Sequence, residues 1–274
     1  MTIFHKLNSM VRKPGIQASL PLLFLALVVV LLPGCKSTED VKVNNKSADL
    51  YFGEGSVHLS DGNVPFALEN FSKAVELEPD NPRYNNYLGL AYLFLMKVTP
   101  DRNTYPQAVK HIKKAIELDP KYTDAKLNLG AVYLDMEDWD KAIVTFKIVL
   151  EDIFYNKHGK AYTNLGWAYY NKGLNEMALK NLRTALKINP NNALAYNYMG
   201  LTLLKTNKLK GAVAAHEKAV KLRPSSVEYN YNLAVALSKN KDRDGAIEVF
   251  EKVIKLNPTS EKASRARDYI KLLK

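Results

Sequence analysis

GKAYTNLGWAYYNKGLNEMALKNLRTALKINPNN (159–192) runs without a gap into ALAYNYMGLTLLKTNKLKGAVAAHEKAVKLRPSS (193–226) and VEYNYNLAVALSKNKDRDGAIEVFEKVIKLNPTS (227–260). Each segment has 34 residues, and the three align position by position. In the first, the recurring residues are Tyr162, Leu165, Gly166, Tyr169, Ala178, Leu182, Ala185 and Pro190. A fixed period of this length marks an array of stacked units rather than one globular core. Small residues at the eighth and twentieth positions let two helices approach closely. Leu and aromatic residues fill the space between neighbours, and the late proline ends the second helix.

The register extends upstream. Residues 48–81 carry Tyr51, Gly55, Ala67, Phe71, Ala74 and Pro79, with Glu54 in the place of the usual Leu. Residues 82–122 carry Leu88, Gly89, Tyr92, Ala108, Ala115 and Pro120, with seven extra residues around Val98–Asn103. Residues 123–158 carry Leu129, Gly130, Tyr133, Ala142 and Phe146, with two extra residues and no closing proline. Residues 261–274 read as a closing amphipathic helix with Ala263, Ala266, Tyr269, Ile270 and Leu273 inward. The pattern resembles the tetratricopeptide repeat. That resemblance implies an all-α, right-handed superhelical solenoid of six helix-turn-helix repeats with a C-terminal capping helix.

In that family, positions 2, 5, 6, 9, 12 and 13 of each repeat face a concave groove. Carried onto this chain, they place Asn128, Asn164, Trp167, Tyr170, Asn197, Tyr198, Tyr231 and Asn232 on a partner-binding surface. An Asn amide both donates and accepts, so it suits the backbone of an extended peptide. The aromatic residues add stiff contact area. A chaperone-type carboxylate clamp is not reproduced: position 5 of the first four repeats holds Phe52, Asn86, Leu127 and Thr163. An acidic C-terminal tail is therefore not the expected ligand. His216 stands where the pattern has an aromatic, and reads as a core histidine with a hydrogen-bond partner.

The sequence implies no enzyme. It has no Gly-rich phosphate loop, no G-x-S-x-G and no H-E-x-x-H. No catalytic residue, cofactor or metal is expected, because the histidines fall in separate repeats without ligand spacing. The formal charge is +11 in 274 residues. Residues 205–274 hold 16 Lys or Arg against 8 Asp or Glu, while residues 35–204 hold 20 of each. The excess thus lies at the C-terminal end, as a solvated face or as a contact for an acidic partner or wall polymer.

The N-terminus reads as an address. Lys6, Arg12 and Lys13 precede an apolar run, Leu20–Leu32, that is shorter than the roughly 20 residues of a membrane span and fits a signal-peptide h-region. Leu32-Pro33-Gly34-Cys35 resembles the bacterial lipoprotein box, with Pro33 as the departure. Cys35 is the single cysteine, so no internal disulfide exists. The resemblance implies removal of 1–34, lipid on Cys35 and a polar tether over 35–47. Lys36 in place of Asp resembles an outer-membrane destination facing the periplasm. Export argues against nucleic acid as partner.

Within the repeat superfamily, the junction FKIVLEDIFYNKHGKAYTNLGWAY (146–169), together with the lipobox and six repeats, resembles the type IV pilus biogenesis lipoproteins, the pilotins. That resemblance implies a protein or peptide partner in the groove, namely outer-membrane secretin subunits, with membrane attachment through Cys35. The alternatives are an envelope adaptor that recruits peptidoglycan hydrolases or proteases, and a module contacting peptidoglycan or lipopolysaccharide.

Overall fold

The computed structural model describes residues 47–99 and 104–274. The signal-peptide and lipobox readings, Cys35 included, lie outside the described residues. Among them the chain forms thirteen α-helices: α1 (Ala48–Ser60), α2 (Val64–Leu77), α3 (Pro82–Val98), α4 (Thr104–Leu118), α5 (Thr123–Asp135), α6 (Trp139–Glu151), α7 (His158–Asn171), α8 (Asn175–Ile188), α9 (Ala193–Lys205), α10 (Leu209–Leu222), α11 (Val227–Lys239), α12 (Arg243–Leu256) and α13 (Glu261–Leu273). None of them is long and apolar enough to cross a membrane.

Each helix packs on the next along the chain, which makes a solenoid of helix pairs. The odd-numbered helices from α3 onward also touch one another in turn, so they form the inner layer. The core follows from three positions of the second helices. The twentieth holds Ala67, Ala108, Ala142, Ala178, Ala212 and Ala246, all fully buried. The twenty-fourth holds Phe71, Ile112, Phe146, Leu182, His216 and Phe250, and the twenty-seventh holds Ala74, Ala115, Val149, Ala185, Ala219 and Val253, again fully buried. Residue 24 lies directly under residue 8 of the first helix. A Cβ at Gly130 would stand 2.5 Å from Phe146, and one at Gly166 would stand 2.6 Å from Leu182. The absent side chain at position 8 is what lets the large one at position 24 fit, and full burial of such a side chain is worth about 1.5–3 kcal/mol.

The turns are as regular as the helices. The second residue after α1, α5, α7, α9 and α11 adopts the left-handed conformation that closes a helix C-terminus. Gly62 and Gly173 do so with φ of 75° and 81°, but Glu137, Asn207 and Lys241 do so with side chains, at φ of 61°, 56° and 67°. First helices begin on side-chain caps: Ser47, Asn81, Asn192, Ser226 and Ser260 each accept a backbone N–H from the first turn. Tyr122 and Lys157, which begin α5 and α7, make no such bond. At the chain's end α13 covers α12, with Tyr269 stacked on Phe250 at 4.9 Å.

Candidate peptide-binding groove

The inner layer presents one continuous stripe along α7. Lys160, Asn164, Trp167 and Asn171 recur at helical spacing and share a face. Lys160 is exposed, and the rest are half-buried. Across the inter-repeat gap, Trp167 stacks on Tyr198 of α9 with centroids 4.2 Å apart and planes 16° apart. It also stacks on Tyr170, at 5.0 Å and 15°. Lys205 lies over the Tyr170 ring at 4.7 Å and donates from Nζ to the Tyr170 carbonyl at 3.2 Å. The sequence-expected residues Trp167, Tyr170 and Tyr198 thus form one nearly parallel ring stack capped by a cation. Burial raises the pKa of both tyrosines, so they stay neutral phenols throughout the physiological range.

The asparagines divide. Asn128 donates from Nδ2 to Asn86 Oδ1 at 3.0 Å, and Asn86 donates to the Tyr122 hydroxyl at 3.2 Å. Asn232 donates to Asn197 Oδ1 at 2.9 Å. Asn128 and Asn232, at position 6, therefore each tie back to a position-5 Asn of the preceding repeat. For Asn164 the preceding position 5 is Leu127, which offers no acceptor. Among the described residues Asn164 makes no side-chain hydrogen bond, and it keeps both donor and acceptor for a ligand.

Two expected groove residues sit elsewhere. Asn197 is fully buried, with Nδ2 unpartnered, and does not line the groove. Position 5 in general points under the next first helix: Phe52, Asn86, Leu127 and Thr163 are all buried. Thr163 shows the reason, since its hydroxyl accepts from Asn192, the cap of α9, at 2.9 Å. Tyr231 joins the C-terminal cluster, edge-on to Phe250 at 5.8 Å and to Tyr269 at 6.4 Å, rather than the Trp167 stack. His216, expected to have a hydrogen-bond partner, has none on either ring nitrogen.

The α6–α7 junction forms a wall of the groove. Thr123 donates to Asp152 at 2.5 Å, and His158 Nε2 meets the Asp152 carbonyl at 2.8 Å. The Tyr155 hydroxyl donates to Asp124 at 2.6 Å, and Lys157 Nζ donates to the same carboxylate at 2.8 Å. Burial alone would raise the Asp124 pKa, but the hydrogen bonds from Lys157 and Tyr155 and the Lys157 charge outweigh it, so the pKa falls below the ordinary carboxylate value. The turn so pinned presents Ile153 and Phe154 to solvent, at 77% and 92% exposure.

Two clefts open on this face. The smaller, about 160 Å³, lies between Tyr87, Tyr122 and Asn128. The larger, about 480 Å³, lies where α7 and α9 begin and α8 and α10 end. Lys157, Lys160 and Arg223 line the larger one together with Asn164 and Asn192. The sequence pattern did not select Lys157 or Arg223. Lys157 falls in the two-residue insertion and Arg223 precedes Pro224, and neither place marks a groove before the repeats are stacked. A shelf of rings, the free amide of Asn164 and ammonium groups can bind and orient a chain. Among the described residues no cluster of His, Cys, Asp or Glu is arranged to hold a metal.

The model of the tetratricopeptide repeat protein 21 C-terminal ARM domain matches residues 75–266, and a TPR repeat model matches residues 55–94. The chain belongs to the tetratricopeptide-repeat family. No curated protein matches it. Among solved structures, PilF of Pseudomonas aeruginosa is similar at 18% identity over 81% of this chain and 96% of that one, with a TM-score of 0.65. PilW, described as a widely conserved type IV pilus biogenesis factor, is similar at 15% identity over 80% and 98%, with a TM-score of 0.72. YrrB, a TPR protein with an unusual peptide-binding site, is similar at 24% identity over 74% and 100%, with a TM-score of 0.50. At these identities the likeness is one of fold. As tetratricopeptide-repeat proteins generally are, the chain is a protein-interaction scaffold, with α7 and α9 carrying the ring stack on its inner layer.

Proposed function

We propose that this scaffold is held in the bacterial cell envelope by lipid on Cys35, at the periplasmic face of the outer membrane, and that its groove captures an extended segment of an outer-membrane secretin during type IV pilus assembly. The observation that carries the groove reading is the Trp167–Tyr198–Tyr170 stack beside the unpartnered amide of Asn164. Flat, stiff rings next to a free donor and acceptor suit an extended chain: the rings take side chains and the amide takes backbone. The envelope reading is supported by the basic, apolar and Cys35 sequence of the N-terminus. The pilus reading is supported by the 146–169 junction and by the fold likeness to PilF and PilW. Tethering would raise the local concentration of subunits at the membrane.

Deletion of the gene should abolish secretin multimers and surface pili, and Cys35→Ser should move the protein from the membrane to the soluble fraction. Crosslinking from position 167 in the native cell should capture secretin. Normal multimers in the deletion strain would sink the pilus reading. Capture of peptidoglycan hydrolases or proteases instead would favour the envelope adaptor.

A further inference from the structure

The second helices, α2 to α12, lie outside the inner layer, and positions 22, 25, 26 and 29 of each repeat form their outward faces. On α4 these positions hold Lys110, Lys113, Lys114 and Glu117, and on α8 they hold Lys180, Arg183, Thr184 and Lys187. On α6, between the two, they hold Val144, Lys147, Ile148 and Glu151. No other second helix has Val, Ile, Leu or Phe at any of these positions. Val144 is 57% exposed and Ile148 42%. A cleft of about 300 Å³ opens beside Val144, walled by Leu129 and Tyr133 of α5; Asp140 at its edge is held by Lys172. Lys114 pairs with Asp80 at 3.2 Å, but among the described residues Lys110, Lys113, Lys180, Arg183 and Lys187 make no ion pair. Residues 35–204 hold as many acids as bases, so these cations are gathered by the fold and not by composition. At the ends of the array the same faces are mixed, with Glu69 and Glu76 on α2 and Glu248 and Glu251 on α12.

A face that only meets water has no use for an aliphatic pair, and the anchor of a protein interface is more often Trp, Tyr or Arg seated in a pocket. Aliphatic side chains between two rows of Lys and Arg suit an anionic bilayer. The apolar groups enter the boundary between headgroups and acyl chains, and the long cationic side chains reach the phosphates. Shape agrees with chemistry, because a flat sheet meets the bulging outer layer of a solenoid at its middle, and α6 is the third of six second helices. We propose that the outer face of α4, α6 and α8 docks on an anionic phospholipid bilayer, with Val144 and Ile148 entering it. This goes beyond attachment through Cys35 and stands whether or not that residue carries lipid. A lipid anchor sets how far the chain strays from a membrane. The docked face sets its orientation, and it turns the inner layer, with the Trp167 stack, away from the bilayer and open to a partner.

The test places a tryptophan in the full-length protein by Ile148→Trp or, separately, by Val144→Trp. Each variant is mixed with vesicles whose acyl chains carry bromine, a short-range quencher of tryptophan emission. The vesicles are pure phosphatidylcholine, or equal parts phosphatidylcholine and phosphatidylglycerol. Both sites are partly exposed, so each variant should melt as the parent does, which circular dichroism checks, and either reporter suffices. The parent, with Trp139 and Trp167, supplies the background. On the mixed vesicles the reporters should be quenched beyond the parent. On pure phosphatidylcholine the extra quenching should be absent, and high salt should abolish it on the mixed vesicles. Adding Lys113→Glu/Arg183→Glu, both at exposed positions, should also abolish it without lowering the melting temperature. No extra quenching on mixed vesicles at either position would overturn the inference and leave the groove reading standing. So would equal quenching on pure phosphatidylcholine, or extra quenching that survives the charge reversal. Reporter emission that shifts with soluble poly-glutamate and not with the mixed vesicles would assign the face to an acidic protein and overturn it as well.

Discussion

Gly200 and His216 meet so closely that a Cβ on Gly200 would stand 2.5 Å from His216 Nε2. The same two positions in other repeats pair glycine with Phe71, Ile112, Phe146 or Leu182. His216 thus does an apolar job with a polar ring. It is fully buried, both nitrogens lack partners, and burial pushes its pKa from 6.5 down to about 4. Between those values the unfolded chain takes a proton that the folded one refuses, so stability is fully present above about pH 6.5 and is lost as pH falls towards 4. The interval corresponds to about 3 kcal/mol. His111, half-buried beside Tyr92, shifts in the same direction through burial and the Lys110 charge. His216→Phe should raise the melting temperature at pH 7 and remove most of the loss between pH 6.5 and 4. An unchanged acid slope in denaturant titrations would contradict this.

Gly89 is the least replaceable of the position-8 glycines. A Cβ there would lie 2.5 Å from Ile112 and 2.9 Å from the backbone carbonyl of Ala108, which cannot rotate away. Gly89→Ala should cost about 1–3 kcal/mol in urea unfolding. Gly53, whose added Cβ meets nothing within 4 Å, should tolerate alanine or gain from it.

The turn residues predict gains as well as losses. Lys241 and Glu137 hold a left-handed backbone that suits glycine. Lys241→Gly should leave stability unchanged or raise it by up to about 1 kcal/mol, whereas Gly173→Ala should lower it by about 1 kcal/mol. Thermal melts of the two variants should move apart.

Asn232 and Asn197 form a pair whose members are worth less than their removal costs. Asn197→Leu should cost about 1–3 kcal/mol, because it strips Asn232 Nδ2 of its acceptor. The Asn197→Leu/Asn232→Leu double variant should recover most of that, since Asn197 Nδ2 is already buried without a partner. A double-mutant cycle with zero coupling would show that the bond carries no weight.

Trp167 reports on the groove directly. The chain has two tryptophans, so Trp139→Phe leaves Trp167 as the only strong fluorophore. Its emission should shift when a peptide displaces water from the ring stack, and Trp167→Ala should weaken capture at least tenfold. Emission that is indifferent to peptides known to bind would place the contact elsewhere.

Some features of this protein are local in origin. The period of 34, the small residues at positions 8 and 20 and the proline that closes five of the six repeats act through contacts within one helix pair, and each such contact recurs. They therefore print themselves on the sequence as a repeat, and Trp167, Tyr170 and Tyr198 fall on the inner layer by the same counting. The fate of Asn197 and Tyr231 was not legible in this way, because whether a position 5 lies in the groove or under the next helix depends on how far neighbouring repeats overlap. Nor was the basic cleft, since Lys157, Lys160 and Arg223 come from three different segments and share no spacing. Helix and repeat were determined by the sequence alone, because their forces act between residues close along the chain. The free amide of Asn164, the bare histidine core and the cleft were decided only by the stacking of repeats. That stacking sets which polar groups find partners across the gap and which are left to meet a ligand.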